Sequence, residues 1–278
     1  MSPYGKRKYR VGLALSGGAA RGIAHVGVLD VLHKAGIPID MIAGTSAGAI
    51  VGAMYASQMR TDLMMEYSLD PTWKTFNIMG DPTLGRSGFL KGHKIEKLIR
   101  GFIGGDPDFN DLKIPFAAVA TDIDTGEEII INSGKVMDAI RASISLPGIF
   151  TVVKREERFL VDGGLTTPVP IHVARDMGAD FVIAVCVSPG VSRRMGDSYK
   201  MRVAAHKEPN IFQILMQSFY ITTWTLAHAS LRSADVVIEP EIEHIMSSDF
   251  KLAPELVEQG RLAAEKALPE IRKKLAAL

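Results

Sequence analysis

The stretch Asp40-Met41-Ile42-Ala43-Gly44-Thr45-Ser46-Ala47-Gly48-Ala49-Ile50-Val51-Gly52-Ala53-Met54 decides the fold. Asp40–Ala43 reads as a short strand and Ala47–Met59 as a helix, with Gly44-Thr45-Ser46-Ala47-Gly48 between them in the pattern G-x-S-x-G. A serine placed between strand and helix in this way sits where a nucleophile elbow must be. The tight turn excludes bulk on either side of the serine, hence Gly44 and Gly48. It also sets the hydroxyl beside a helix N-terminus, whose amides favour negative charge. The plainer reading is a small-residue turn that lets a helix pack closely on a strand. A lone motif does not separate the two.

Upstream, Val11–Leu15 is an apolar run that fits a buried strand. Arg21–Lys34 follows with Ile23, Val26, Leu29 and Leu32 at helical spacing, Gly36 placed to cap it and Pro38 barring continuation. Downstream, strands are expected at Phe116–Ala120, Glu128–Ile131, Phe159–Val161, Phe181–Val187 and Val236–Ile238. Helices are expected at His93–Phe102, Val136–Ser143, Ile171–Met177, Ile211–Leu231 and Ala253–Leu278. Thr121–Glu127 reads as a turn between two strands that pair locally. Apolar strands alternating with amphipathic helices indicate an α/β fold, a mostly parallel central sheet sandwiched by helices in three layers. With no repeat and no Pro/Ser-rich linker, residues 1–278 are expected to form one domain, its core at about 11–240 and a helical tail at about 250–278.

Lys and Arg total 32 against 31 Asp and Glu, a balance that argues against nucleic acid as a partner. The local exception, Lys6-Arg7-Lys8-Tyr9-Arg10, reads as a solvated tail. A single cysteine, Cys186, excludes an internal disulfide and any multi-cysteine metal site. No signal peptide is read, which points to a cytoplasmic location. Met41–Met59 is uncharged, with Gly44, Gly48 and Gly52 at the spacing of a membrane helix-dimer face, but it is too rich in Gly, Ser and Ala for a span. Pro209–Leu231 is also uncharged, yet Gln213, Gln217 and several Ser and Thr residues make it too polar to cross a bilayer.

A second glycine cluster, Ser16-Gly17-Gly18-Ala19-Ala20-Arg21-Gly22, also joins a strand to a helix. Successive amides in such a turn cradle an anion, in acyl transfer the tetrahedral oxygen. Arg21 adds a positive charge that can orient the loop or meet a lipid phosphate. A nucleotide loop is the rival reading. The glycines do not give G-x-G-x-x-G or G-x-x-x-x-G-K-[ST], and Asp40, the acidic residue about 20 positions on, leads into the serine elbow.

Asp162-Gly163-Gly164 directly follows the strand Phe159–Val161, so a carboxylate emerges at a strand end. The bland alternative is an ordinary Asp-Gly turn. As a base, Asp162 would need its proton affinity raised by burial. Histidine is the usual base in α/β-hydrolases, in the order Ser, acid, His. His93, His172, His206, His228 and His244 follow Ser46, none in a short loop of catalytic character.

The three pieces in this order resemble the patatin-like phospholipase family, with further matching stretches at Ile23–Leu29, Arg141-Ala142-Ser143-Ile144-Ser145-Leu146-Pro147-Gly148 and Pro168-Val169-Pro170. The resemblance runs from about Val11 to about Val187, more loosely to the C-terminal helix. It implies Ser46 as nucleophile, Asp162 as its base in a Ser–Asp dyad, and the amides of Gly17, Gly18 and Ala19 as oxyanion hole. It also implies hydrolysis of a fatty-acyl ester of a phospholipid or lysophospholipid, with no metal or cofactor. Many relatives have a third glycine where this chain has Ser16.

Two rivals stay open: a histidine-dependent esterase or thioesterase, and a non-catalytic lipid-binding or regulatory protein on the same fold. The uncharged helix Ile211–Leu231, with Phe219 and Trp224, is expected to pack in the core. An acyl-binding wall, a peripheral membrane contact or an oligomer contact are the alternatives. The irregular region Asp70–Gly92 reads as a surface connection, or as a cover over a site.

Overall fold

The computed structural model describes residues 8–70, 88–188 and 208–278. Most of Asp70–Gly92, Lys6 and Arg7 of the basic run, and His206 therefore lie outside the described residues. The strands are β1 Val11–Leu15, β2 Met41–Thr45, β3 Gly88–Leu90, β4 Phe116–Asp122, β5 Glu128–Ile131, β6 Gly148–Phe150, β7 Val153–Arg155, β8 Arg158–Asp162, β9 Phe181–Val185 and β10 Val236–Ile238. The α-helices are α1 Ala24–Lys34, α2 Ala47–Gln58, α3 Thr61–Leu69, α4 His93–Ile103, α5 Val136–Ser143, α6 Ile171–Asp176, α7 Ile211–Ser230 and α8 Ala253–Leu275.

Apolar runs of this kind form a sheet buried on both faces. Its order is β10-β9-β1-β2-β4-β8-β7, parallel from β10 to β4 and antiparallel from β4 to β7, with β5 also antiparallel to β4. The expected parallel sheet thus carries an antiparallel flank. Side chains alternate across it. Val11, Leu13, Leu15, Ile42, Phe116, Ile183 and Val185 enter one core with α1, α2, α4 and α8, while Ala14, Ala43, Ala117 and Ala184 enter a second with α6. Gly12 lets α6 and the turn after it lie close to the second face: a Cβ there would stand 2.7 Å from Ala179 Cβ and 3.1 Å from Ala174 Cβ.

The C-terminal helix α8 packs closely against α1. A Cβ on Gly27 of α1 would meet Val257 O at 2.0 Å, and one on Gly260 would meet Ala24 O at 2.0 Å, so the two backbones touch. Leu256, Ile271 and Leu275 are buried there. Gly36, in the left-handed region at φ 69°, ends α1 as its position suggested.

Helix α7 departs from the expected core packing. Thr223 and Ala227 are buried, but Ile211, Ile214, Leu215 and Ile221 are between 45% and 71% exposed. No helix among the described residues is long and apolar enough to cross a membrane.

Candidate active site

Strand pairing brings the two ends of the site together. Ala118 and Val119 of β4 pair with both β2 and β5, so these strands flank β4 on opposite edges. Ala120 and Thr121 pair with both β5 and β8, which puts β8 on the β2 edge. Thr45 sits opposite Val119 and Asp162 opposite Ala120, so β2 and β8 meet end to end along β4. The residue after β2 is Ser46, and the last residue of β8 is Asp162. Ser46 Oγ donates to Asp162 Oδ2 at 2.6 Å.

The elbow is held under strain. Ser46 has φ 53° and ψ −119°, outside the ordinary regions for a residue with a Cβ. Gly44 and Gly48 are close-packed rather than merely small: a Cβ on Gly44 would meet Gly48 O at 2.5 Å, and one on Gly48 would meet Leu15 O at 2.2 Å. Ser46 N–H donates to Ser143 Oγ at 2.8 Å, and the buried Ser143 hydroxyl donates in turn to Val119 O at 2.6 Å. Ser143 therefore fixes the Ser46 main chain to β4. Its own position comes from Arg141 and Ser145, one turn of chain around it. Arg141 Nη1 donates to Ser145 Oγ at 2.6 Å, its Nη2 donates to Lys91 O at 2.8 Å, and Asp162 N–H donates to Ser145 O at 3.0 Å.

Asp162 is 3% exposed, and Oδ1 accepts from Gly164 N–H at 2.8 Å. Burial pushes its carboxyl up to about 6, against the pull of the Ser46 hydroxyl and the Gly164 amide, both of which favour the anion. A Cβ on Gly163 would strike Val119 O at 2.2 Å, so only glycine lets this loop reach the elbow.

The glycine cluster lies against Ser46, with a Cβ on Gly17 placed 3.3 Å from Ser46 Cβ. Gly17 N–H donates to Pro168 O at 3.0 Å, so the reading that made it an oxyanion donor is corrected. Ala20 N–H donates to Ser247 O and Arg21 N–H to Gly18 O. The amides of Gly18 and Ala19 have no hydrogen-bond partner among the described residues. Ala19 adopts φ 50°, which turns the chain sharply at that point. Behind the loop, His25 is fully buried, with Nε2 2.9 Å from Ser16 O. Burial holds its imidazole down at about 4, so it is neutral there.

A family model described as patatin-like phospholipase matches residues 13–175. The chain belongs to the patatin-like phospholipase family. Among curated relatives, an uncharacterised NTE family protein of Mycobacterium tuberculosis is 32% identical over 276 residues, which is 93% of this chain and 46% of the relative. Neuropathy target esterase sws of Drosophila melanogaster is 34% identical over 183 residues, covering 64% of this chain and 13% of that protein. Lysophospholipase nte1 of Aspergillus fumigatus is 34% identical over 192 residues, covering 64% and 12%. The chain thus spans about half the length of the first of these and a smaller share of the others. The crystal structure of VipD from Legionella pneumophila superposes with a TM-score of 0.53 at 11% identity, over 95% of this chain and 67% of that one. That likeness is one of fold.

Within this patatin-like site the other candidates fall as follows. Arg21 is 6% exposed and its Nε donates to Ile245 O at 2.7 Å, which ties the glycine loop to the segment before α8. Asp40, the rival nucleotide acid, accepts Val11 N–H at 2.7 Å and so helps join β1 to β2. Of the six described histidines, His25 is bound to Ser16 O behind the glycine loop, and the other five have partners other than Ser46: His33 with Tyr55, His93 with Glu96, His172 with Glu128, His228 with the Trp224 carbonyl and His244 with Glu255. Among the described residues no cluster of three or more His, Cys, Asp or Glu is placed to hold a metal.

Ser143 is the residue sequence reasoning passed over. It lies in a stretch that matches the family, but no local pattern signals a hydroxyl that reaches across to an elbow in another strand–helix unit. Ser143→Ala is expected to leave Ser46 N–H without its acceptor. That costs about 1–3 kcal/mol of stability and at least about tenfold in kcat, since the strained elbow loses its tether. Thermal melts beside steady-state kinetics check this, and wild-type kcat in Ser143→Ala would remove the tether role.

Proposed function

We propose that this chain is a serine hydrolase of lipid carboxylic esters, with Ser46 as nucleophile, Asp162 as general base and the Gly18 and Ala19 amides as oxyanion hole. The observation that carries the reading is the 2.6 Å contact from Ser46 Oγ to a buried carboxyl whose proton affinity is raised toward neutrality. Ser46 Oγ attacks the ester carbon as Asp162 Oδ2 takes the hydroxyl proton. The carbonyl π electrons move to the oxygen, which faces the free amides. When the oxyanion collapses, the carbon–oxygen bond to the alcohol breaks and Asp162 returns the proton to the leaving oxygen. An acyl ester on Ser46 remains. Water then gives a proton to Asp162 while its oxygen attacks the acyl carbon, and collapse releases the fatty acid as Ser46 recovers the proton.

Family membership and the likeness to two relatives, an esterase and a lysophospholipase, favour phospholipid or lysophospholipid esters as substrates. The test is hydrolysis of phospholipid, lysophospholipid and p-nitrophenyl esters by wild type and Ser46→Ala. The reading expects hydrolysis by wild type alone, and Ser46-independent hydrolysis would end it. Domain organisation and location belong to the same proposal: one patatin-like unit acting in the cytoplasm and touching a membrane surface peripherally. The exposed residues Ile211, Ile214 and Leu215 of α7 support that contact, because Phe219 and Thr223 of the same helix lie against Gly164 in the Asp162 loop. Leu215→Ser is expected to reduce co-sedimentation with anionic phospholipid vesicles severalfold, and equal binding would remove the membrane contact.

A further inference from the structure

An apolar cavity near Ser46 is lined by residues of α1, α2, α3 and α4. Of its lining residues Ala19 and Ala47 are the ones next to the reacting groups in the chain, and Ile50, Val51, Met54 and Phe102 are among the others. Val51, Met54 and Phe102 are buried, Ile50 half-buried. Ala47, Ile50, Val51 and Met54 recur at helical spacing, so they form one face of α2 that starts at the elbow and leads away from it. Two lining residues carry a hydroxyl, Tyr67 and Ser68, and that of Ser68 is satisfied internally by Met64 O at 2.7 Å.

The direction of this cavity has a stereochemical meaning. A tetrahedral carbon on Ser46 Oγ carries three other groups. Its oxyanion must face the Gly18 and Ala19 amides. Its leaving oxygen must face Asp162, the group that returns the proton. The acyl chain takes the remaining direction, and the apolar cavity is the candidate for it because its lining includes Ala19, one of the two amide donors, and Ala47, the residue after Ser46.

We infer that the substrate's acyl chain lies along this face of α2, and that Val51 and Met54 set how much of it is buried. The inference rests on the hydrolase reading proposed above and adds to it the site and length of the acyl chain. From Ala47 to Met54 the helix rises about 10 Å, the length of about eight methylenes. Burial of each methylene is worth up to about fourfold in kcat/KM, so the gain is expected to climb with acyl length and level off near about eight carbons.

The experiment is kcat/KM across p-nitrophenyl esters from acetate to palmitate for wild type, Val51→Phe and Met54→Ala, with Ile50→Trp as the half-buried substitute should Val51→Phe not fold. Filling the cavity at Val51 or Ile50 should lower the decanoate-to-acetate ratio by about tenfold or more. Emptying it at Met54 should move the plateau to longer chains. A length profile unmoved in folded variants overturns the inference. So does a profile that shifts instead with Phe219→Ala, on the Asp162 side. Absence of Ser46-dependent ester hydrolysis by wild type would instead strike the hydrolase reading itself.

Discussion

Asp162→Asn is expected to lower kcat/KM for an ester about 10³-fold while raising the melting temperature at pH 8. The two effects have one cause. Burial pushes the folded carboxyl up to about 6 from 3.8, so the unfolded chain holds this proton less tightly than the folded one. At pH 8 the folded protein keeps a buried anion at a cost that the unfolded chain does not bear. As pH falls through about 6 the folded carboxyl takes up its proton, and below about 4 both states are protonated and the cost is gone. At roughly 1.4 kcal/mol per unit, the cost at pH 8 is up to about 3 kcal/mol. Asparagine keeps an oxygen for the Gly164 amide and carries no charge. A gain of several degrees at pH 8 is therefore expected, shrinking to nothing by about pH 4. Melts from pH 4 to pH 8 beside esterase assays measure both. A variant less stable than wild type at pH 8, or fully active, would contradict this account of Asp162.

Gly48→Ala is expected to cost about 3 kcal/mol or more and to lower the yield of folded protein. Its Cβ would stand 2.2 Å from Leu15 O and 2.7 Å from Ser16 O. Both are backbone atoms of β1 and the glycine loop, so no rotamer change relieves the clash. Gly52→Ala, one turn further along α2, is the matched comparison. Its Cβ meets Ile42 Cγ2 at 3.0 Å and Phe116 Cε2 at 3.1 Å, both on side chains that can shift. The helix gains about 1 kcal/mol from alanine over glycine, so that variant is expected to melt near wild type. Equal melting temperatures for the two would show that the elbow tolerates bulk. The glycines spaced like a membrane-helix face thus serve a strand–helix contact at Gly44 and Gly48.

Much of the fold was readable because its strands are continuous apolar runs. Val11–Leu15, Glu128–Ile131 and Val236–Ile238 appear with the bounds the pattern suggested. Helix α3 was missed because only Thr61, Met64 and Ser68 are buried on it, too few for an apolar stripe to register. Strands β3, β6 and β7, of three residues each, are shorter than the period that would reveal them. The β4–β5 hairpin was readable from the turn Thr121–Glu127, but the antiparallel pairing of β8 with β4 and of β7 with β8 was not, because an apolar run has the same composition whichever way its neighbour points. Ser46 and Asp162 could be singled out from strand ends and flanking glycines. Their meeting depends on β2 and β8 abutting along β4, a long-range pairing that local sequence does not encode. The same limit explains Gly17. Its amide looked free in a glycine loop, and the carbonyl that occupies it belongs to Pro168, far along the chain.

The central claim is that a carboxylate, not an imidazole, takes the Ser46 proton. The most direct measurement is the pH dependence of fluorophosphonate labelling at Ser46 in wild type and Asp162→Asn, with the labelled peptide identified by mass. The expected wild-type rate rises about tenfold per pH unit below about 6, where the carboxyl is protonated, and is flat above, while Asp162→Asn labels slowly at every pH. A profile that survives Asp162→Asn and disappears when one histidine is replaced by alanine would contradict it.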